Sequence, residues 1–445
     1  MNISHAGGGG SATGVNLLAL RSHNAALLLD LLRRAGHAGI SRLELAERTG
    51  LTPQAVSKIT ARLRADGLVT EAGHRASTGG KPRTVLRLVP EAGHAVGLHL
   101  DRDELRTVLV DLTGTVVGER RTGLDLGAGA DSVVSTAVDE VSTLLAALNT
   151  DSGPPTANPE PPPSAPLPAT PPPRTRGRDS TGGGAVPVRH ARRVGLPQTT
   201  PTVQPRAVRP EGDGQTYRHG PAPTPTVLGV GVAMPGPLDH THGVLHRVTG
   251  FPEWDGFPLR DALARQLGGV PVVLDKDTNA AALGLAVGGE AGAFAYLHLG
   301  TGLGAGLVLG GAVHRGSRTG AGEFGHQVIQ LDGPPCPCGN RGCVEALCLA
   351  AVARGDVDEA ARVLGEGAAN LVGLLDMDIV LLGGRTVAAQ PDRFVRGVRA
   401  VLDARAHREG AGSPVPVRVA PGGARAVAEG AAQLLLAPLF GRAEG

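Results

Sequence analysis

A proline-rich segment divides this chain and limits what the rest of it can form. Residues 151–225 contain 19 of the 35 prolines in a chain of 445 residues. Almost no apolar periodicity survives there, so the segment cannot bury enough surface to offset its conformational entropy. We predict a disordered insertion, and favour a plain flexible connection over a DNA-contacting arm built on its arginines. The predicted parts are a disordered N-terminus over 1–15, a first domain over 16–90, and a second domain formed by 91–150 and 226–445.

The first domain carries the start signals of short helices. Ser41, with Glu44 three residues later, forms a capping-box pattern. Thr52 followed by Pro53 is a second helix start. The predicted elements are a helix over 17–34, a helix over 41–49, a helix over 53–65, and two strands on either side of a glycine-rich tip. This order predicts a winged helix-turn-helix.

The third helix and the tip between the strands carry side chains suited to DNA. Gln and Ser/Thr side chains bond base edges, whereas Lys and Arg neutralise phosphates. The predicted DNA-binding residues are Gln54, Ser57, Lys58, Thr60, Arg62 and Arg64 on the helix, and Lys81 and Arg83 at the tip. The residues predicted to face the core are Ala55, Val56, Ile59 and Leu63.

The charge distribution agrees with a nucleic-acid-binding first domain. Residues 1–90 hold 12 Lys/Arg and 5 Asp/Glu, whereas the remainder holds 31 and 36. A basic segment on an acidic body favours a nucleic-acid partner. A winged helix that contacts another protein is the alternative.

The second domain alternates apolar runs with helical patterns. The runs cover 226–237, 271–277, 293–300 and 378–384 and end in Gly, Pro or polar residues. This alternation predicts an α/β fold with ligands at the carboxyl ends of the strands. No run of 18 apolar residues is present, and the N-terminus lacks a secretion signal, so we predict a cytoplasmic protein without membrane spans.

Three of the four cysteines lie within eight residues. Cys336, Cys338 and Cys343 offer three thiolates in one loop. In a chain without a secretion signal this clustering favours a metal over disulfides, and a fourth ligand would complete a tetrahedral structural zinc site. The alternative is three buried thiols without a metal. Cys348 falls outside the pattern and is predicted to be a small core residue.

The second domain resembles the ROK family of repressors, open reading frames and sugar kinases. The motifs that carry the resemblance are GVAMPGPLD (231–239), DKDTNAAALG (275–284), HLGTGLGAGLVLGGAVHRG (298–316), AGEFGH (321–326) and CPCGNRGCVE (336–345). With a helix-turn-helix ahead of it, the order resembles the repressor branch. The fold implied is a two-lobed, actin-like sugar-kinase domain behind a winged helix-turn-helix.

The resemblance also implies site residues. The sugar-binding residues it implies are Gly236, Thr249, Glu323, His326 and Glu345, with Asp277 at the position of the kinases' catalytic base. His326 is implied as the fourth zinc ligand. The alternatives are purely structural: Asp277 only caps a helix, and Glu323 lies on the surface of a loop.

Two departures from the family pattern bear on function. Lys276 replaces the usual Asn, and this cation could pair with Asp277 or reach toward an acidic or phosphorylated ligand. The first phosphate-binding turn, D-x-G-G-T in the family, is replaced by Asp101-Arg102-Asp103-Glu104. Carboxylates there would repel a polyphosphate, so we predict no kinase activity and only a vestigial base at Asp277.

The sequence therefore predicts a sugar-responsive, DNA-binding transcription regulator, most simply a repressor of genes for carbohydrate uptake or catabolism. Its predicted partners are operator DNA, a sugar or sugar-phosphate effector and further copies in a homodimer or homotetramer. The alternatives are an ATP-dependent sugar kinase with a DNA-binding arm and a regulator controlled by a protein partner.

Overall fold

The computed structural model describes most of the chain. The described residues are 23–75, 83–150, 226–246, 248, 250–410 and 413–442. The predictions of a disordered N-terminus and a disordered insertion fall outside these residues. So do the predicted wing-tip residue Lys81 and the predicted sugar contact Thr249.

The first domain is a winged helix-turn-helix. Its elements are α1 (His23–Ala35), β1 (Ile40–Ser41), α2 (Arg42–Thr49), α3 (Pro53–Ala65), β2 (Val69–Arg75) and β3 (Arg83–Leu88). Ser41 caps α2 and forms the full capping box with Glu44, while Gly50 ends α2 in the left-handed conformation. The Thr52 hydroxyl accepts from the Ala55 N–H and begins α3.

The wing contains one more strand than the sequence predicts. The strand order is β1-β3-β2, with β3 antiparallel to both neighbours. β1 covers only Ile40 and Ser41, which is too short for a period-two pattern to be read. By pairing with β3, it holds the start of α2 against the wing.

The first sheet of the second domain has the strand order β10-β7-β4-β5-β6 among the described residues. Its elements, with a separate short hairpin β8–β9, are β4 (His94–Leu100), β5 (Glu104–Asp111), β6 (Val116–Gly123), α4 (Ala130–Thr150), β7 (Val227–Met234), β8 (Leu238–Asp239), β9 (Val244–Leu245), α5 (Leu259–Gln266) and β10 (Val272–Lys276). Strand β7 is parallel to β4 and β10, so the three strands end at one edge of the sheet.

The second sheet has the order β13-β12-β11-β14-β15. The remaining elements are α6 (Asp277–Val287), β11 (Phe294–Leu299), β12 (Leu303–Leu309), β13 (Ala312–Val313), α7 (Val344–Ala353), α8 (Val357–Leu375), β14 (Ile379–Gly383), α9 (Arg385–Ala389), α10 (Pro391–Glu409), β15 (Val417–Val419) and α11 (Ala426–Leu436). The apolar runs predicted to be strands are β7, β10, β11 and β14, so the α/β prediction is confirmed.

Helices α6 and α11 pack against each other and against both sheets. They approach closely because Gly430 has no side chain: a Cβ there would lie 2.0 Å from the Ala280 carbonyl oxygen. Helix α6 begins at Asp277, a predicted site residue. The first turn of α6 therefore lies in direct contact with α11.

Helix α11 also belongs to the core of the winged helix. Leu435 and Leu436 of α11 and Phe440, in the segment 437–440 that follows α11 and contacts α1, share one buried cluster with Leu28 and Leu32 of α1. Full burial of a Leu side chain contributes about 1.5–3 kcal/mol. The two domains therefore share a continuous apolar core rather than a flexible joint. Within the described part of the chain, we find no helix long and apolar enough to cross a membrane.

Candidate functional site

The residues predicted to bind sugar line one polar cavity between the two sheets. Those that the structure describes are Gly236, Lys276, Asp277, Glu323, His326 and Glu345, joined by Asp101, Arg102, Pro235, Thr278, His298, Thr301, Gly302, Leu303, Gly304 and Gly322. Gly236 follows β7, and Lys276 and Asp277 lie where β10 ends. The cavity therefore lies at the carboxyl ends of parallel strands, where α/β folds bind ligands.

Lys276 pairs with Glu323 and not with Asp277. Its ammonium lies 3.0 Å from Glu323 Oε1 and donates to the Ala321 carbonyl. The side chain is 4% exposed. The predicted pairing with Asp277 is thus wrong, because the loop that carries Glu323 folds over the end of β10 and offers a carboxylate and a carbonyl together.

The loop that carries Glu323 depends on a glycine. Gly322 has φ +86°, and a Cβ there would lie 2.0 Å from the Ala305 carbonyl oxygen. Only glycine allows the loop to pass so close to β12. This close passage brings Glu323 to the Lys276 ammonium.

Asp277 and Glu345 present carboxylates to the cavity. Asp277 Oδ1 accepts from the Thr278 N–H, which is a local bond within the first turn of α6. Glu345 is 5% exposed, and its Oε2 accepts from the Leu303 N–H at 2.8 Å. Each carboxylate keeps a second oxygen, and hydroxyl donors are the groups that such acceptors bind.

The predicted metal ligands form one cluster. The ligand atoms of His326, Cys336, Cys338 and Cys343 all lie within 4.8 Å of one another. His326 Nδ1 is 3.7 Å from Cys336 Sγ, and Cys338 Sγ is 3.7 Å from Cys343 Sγ. Three thiols and one imidazole at this spacing suit a four-coordinate structural zinc site.

The cysteine loop is closed by its own backbone. The Cys336 N–H donates to the Asn340 carbonyl, and the Gly342 N–H donates to the Pro334 carbonyl. Cys348 is fully buried in the core around α7 and α8 and lies outside the metal cluster. Burial raises its pKa to about 12, so it is an unreactive core thiol, as its sequence position predicts.

Asp101 accepts hydrogen bonds from two turns, the β4–β5 turn and the β11–β12 turn, which face each other across the cleft between the two sheets. Its Oδ1 accepts from the Arg102 N–H at 2.7 Å and from the Thr301 hydroxyl at 2.9 Å. Burial alone would raise the pKa of Asp101, but His99, these two donors and Arg385 outweigh burial and lower it. Asp101 is therefore a paired carboxylate rather than a free repulsive charge.

Sequence reasoning missed the residues that bridge the cleft. Arg385 forms a two-point ion pair with Asp103 and lies 3.6 Å from Asp101. The Thr386 hydroxyl donates to the Gly300 carbonyl. Arg385 and Asp103 are 282 positions apart, and no local pattern in the sequence could have joined them.

Helix α3 presents a polar outer face. Gln54, Ser57, Lys58 and Arg62 are exposed, while Val56 and Leu63 are fully buried. Arg64 is exposed as well but pairs with Glu71 at 2.8 Å. Ala55 and Ile59, predicted to face the core, are only partly buried. Arg83 at the start of β3 is exposed.

Thr60 does not face outward, so its prediction as a DNA contact is wrong. It is fully buried, four residues after Val56 and three before Leu63, and therefore shares their face of α3. Its hydroxyl donates to the Val56 carbonyl at 2.8 Å and accepts from Arg42 Nε at 3.3 Å. The polar residue type suggested exposure, whereas the helical period assigns it to the core.

Two family profiles match the chain. The ROK family profile matches residues 219–353, and a winged helix-turn-helix DNA-binding profile matches residues 27–70. The second match covers most of α1, then α2, α3 and the start of the wing, and the first covers the metal cluster and the polar cavity except Asp101 and Arg102.

Curated relatives include proteins named as xylose repressors. A putative xylose repressor from Caldicellulosiruptor sp. (strain Rt8B.4) is 23% identical over 423 residues, which cover 85% of this chain and 87% of the relative. The xylose repressor of Bacillus subtilis (strain 168) is 25% identical over 322 residues, which cover 72% of this chain and 63% of that protein. The chain thus spans less than two thirds of the second relative.

A solved structure shares the whole architecture. A ROK family transcriptional regulator, described as a homologue of the E. coli MLC protein, superposes with a TM-score of 0.65 at 18% identity. The alignment covers 96% of this chain and 98% of the other. At this identity the likeness establishes the fold.

Proposed function

Because the chain carries a ROK family domain behind an N-terminal winged helix-turn-helix, we propose that it is a sugar-responsive, DNA-binding transcriptional repressor. The observation that carries the proposal is the shared apolar core that joins α1 of the winged helix to α11, next to the helix that starts at Asp277. A domain that binds DNA is thereby packed onto a domain with a polar ligand cavity.

The chemistry of the cavity suits a polyol. Asp277 and Glu345 offer carboxylate oxygens to hydroxyl donors, and the His326 imidazole lies at the same wall. Rigidly held acceptors and donors of this kind recognise sugars. The printed names of the curated relatives make D-xylose the first effector to test. Gly236 and Thr249 remain predicted contacts.

We propose that the cluster of His326 and three cysteines holds a structural zinc ion. The donor set and its spacing support zinc, and a closed set of four ligands suits structure rather than hydrolysis. Bound zinc would fix the cysteine loop and the tautomer of His326. Since Nδ1 of His326 faces Cys336, the other ring nitrogen is left for a sugar hydroxyl.

DNA recognition is assigned to the outer face of α3 and to the wing. Gln54 and Ser57 can bond base edges, whereas Lys58, Arg62 and Arg83 can neutralise phosphates. Arg64 contributes less charge, because Glu71 compensates it. Lys81 stays a predicted phosphate contact at the wing tip.

The contacts of Asp101 support a regulator without kinase activity. Phosphate-binding turns need free backbone and hydroxyl donors. Here the Arg102 N–H and the Thr301 hydroxyl are both directed at Asp101, and Arg385 is held by Asp103. A coupled ADP-release assay with sugar and ATP tests the kinase alternative, for which we expect no turnover above background.

Sugar binding is proposed to reach DNA through α6 and α11. A ligand shifts a two-state equilibrium only by its differential affinity for the two states. Closure of the cavity around a sugar would displace the start of α6, the packed pair α6–α11 and then, through residues 437–440, α1. In a homodimer or homotetramer this would change the spacing of two winged helices. Operator binding implies a cytoplasmic protein.

The decisive experiment measures DNA binding with and without sugars. The full chain is used to select binding fragments from genomic DNA, and one selected fragment is titrated by fluorescence anisotropy with D-xylose, D-glucose and glucose 6-phosphate. We expect at least one sugar to weaken DNA binding. DNA binding that responds to none of these, while a protein captured by pull-down alters it, would support the protein-controlled alternative. Failure to bind DNA would refute the proposal.

A further inference from the structure

Lys276 occupies part of the ligand cavity with its own side chain. Its aliphatic chain crosses the backbone of Gly236, where a Cβ would lie 2.5 Å from Lys276 Cδ. Its ammonium is held inside the cavity wall by the Ala321 carbonyl and Glu323 Oε1. The protein thus brings a cation of its own into the place where ligand groups are recognised.

The ion pair of Lys276 removes the net attraction for an anionic ligand. Lys276 is compensated by Glu323 at 3.0 Å. Apart from Asp101, which Arg385 compensates, the carboxylates that line the cavity are Asp277, Glu323 and Glu345, against the cations Arg102 and Lys276. A phosphate or carboxylate group on a ligand would meet an excess of negative charge.

A cationic ligand is disfavoured for a different reason. An ammonium group on an amino sugar needs carboxylate and carbonyl acceptors, and Lys276 already takes the Ala321 carbonyl and Glu323 Oε1. Two ammonium groups in one small, partly buried cavity repel each other with little screening. Among the described residues, the second oxygens of Asp277, Glu323 and Glu345 remain for neutral hydroxyl donors.

We propose that Lys276 is a specificity-determining residue that restricts the cavity to neutral sugars. It substitutes for the ammonium of an amino sugar at Glu323 and leaves the remaining carboxylates to exclude sugar acids and sugar phosphates. This inference rests on the proposed sugar binding at the same site. It concerns the charge of the ligand and leaves the choice among neutral sugars to the rest of the cavity.

The test compares the affinities for ligands of different charge as ratios, rather than one affinity alone. Isothermal titration calorimetry of the full chain uses D-xylose, D-glucose, 2-amino-2-deoxy-D-glucose and glucose 6-phosphate. The wild type is expected to bind a neutral sugar at least tenfold more tightly than the amino or phosphorylated sugar. In Lys276→Met, which keeps the length of the side chain without its charge, the ratio of amino-sugar to glucose affinity is expected to rise about tenfold, because Glu323 then lacks a cation.

Two further variants keep the test falsifiable if Lys276→Met binds poorly. Lys276→Arg retains the charge and is expected to keep the discrimination against the amino sugar. Glu323→Gln leaves the ammonium uncompensated, so the ratio of phosphorylated to neutral sugar is expected to rise. Arg396→Met removes one exposed cation from α10 and is the matched control, with ratios equal to the wild type.

The outcomes separate this inference from the proposed function. Binding of neutral sugars with unchanged charge ratios in Lys276→Met and Glu323→Gln would overturn the role of Lys276 and leave the proposed function standing. Tight binding of glucose 6-phosphate or the amino sugar by the wild type would also overturn it. No heat from any probe with the wild type, at a ligand excess that would reveal millimolar binding, would overturn both.

Discussion

Arg385 donates two hydrogen bonds to Asp103 across the cleft, from Nη2 to Oδ1 at 2.6 Å and from Nη1 to Oδ2 at 2.9 Å. Asp103 lies in the turn between β4 and β5, and Arg385 is the first residue of α9. A second link joins the β4–β5 turn to the turn between β11 and β12, from the Thr301 hydroxyl to Asp101. Side chains of the protein therefore link the two walls of the cleft.

We expect Arg385→Ala to loosen the cleft with little loss of global stability. The Arg385 and Asp103 side chains are 42% and 57% exposed, so the ion pair contributes about 1 kcal/mol or less to the free energy of unfolding. Its loss is expected to raise amide hydrogen exchange in the β4–β5 turn and to weaken sugar binding severalfold, because the ligand must then close the cleft unaided.

A matched control exists on the far side of the second sheet. Arg393 forms a similarly exposed pair with Asp358 between α10 and α8, at 2.7 Å. Arg393→Ala should lower stability equally and leave sugar affinity and exchange in the β4–β5 turn unchanged. Equal effects of both variants on sugar affinity would contradict a specific role for the Arg385 pair.

Thr60 and Ser57 should separate stability from DNA recognition. Thr60→Val is expected to lower the free energy of unfolding by about 1 kcal/mol, because the buried hydroxyl that bonds the Val56 carbonyl and Arg42 is lost. Ser57 is exposed, so Ser57→Ala should leave the free energy of unfolding within about 0.5 kcal/mol of the wild type while weakening binding to the selected DNA. Urea denaturation and fluorescence anisotropy measure the two effects, and loss of DNA affinity by a stably folded Thr60→Val would contradict the assignment.

Local signals explain which parts of the fold the sequence predicts. The capping box of Ser41 and Glu44 and the start of α3 at Thr52 depend on residues three positions apart, so one short segment determines them. The cysteine cluster is predictable for the same reason, since its thiols lie in one loop. His326 was placed there by family resemblance, and the structure brings its Nδ1 to the cluster.

The contacts that could not be predicted from the sequence are those between distant segments. One of the two roles predicted for Lys276 was a pair with its neighbour Asp277, but Glu323, 47 positions away, is brought to it by the passage of Gly322 against β12. The Arg385–Asp103 pair depends likewise on how two sheets face each other. Such contacts are determined by tertiary packing and leave no periodic signal in the chain.

Zinc removal is expected to affect the sugar site and not only the cysteine loop. Elemental analysis of the purified chain should give about one zinc per chain, and Cys336→Ser should lose most of it, because one of four ligands is gone. Sugar affinity should fall roughly tenfold, because His326 then loses the metal that fixes its ring, and loss of a partner that orients such a side chain costs about 10–100-fold. Cys348→Ala is the control that should retain zinc; full zinc content in Cys336→Ser would rule out the proposed ligand set.

Gly430 provides a test of the coupling between sugar and DNA. A methyl group there would meet the Ala280 carbonyl oxygen at 2.0 Å, so Gly430→Ala must separate α11 from α6. Overpacking of this kind costs about 1–3 kcal/mol. Because α11 contacts both α6 and the core of the winged helix, we expect the factor by which sugar weakens DNA binding to shrink, even where sugar and DNA each still bind.

Gly373→Ala on α8 controls for the effect of adding a methyl group to a helix. The three atoms nearest to its Cβ would all belong to the guanidinium end of Arg405, a flexible side chain that can move away. Anisotropy titrations of DNA at several sugar concentrations give the coupling factor for each protein. We expect the Gly373→Ala factor to equal that of the wild type. A wild-type factor in Gly430→Ala would mean that the contact between α6 and α11 does not carry the response, and the signal would then have to reach the winged helix through β4 and β5, which also contact α11.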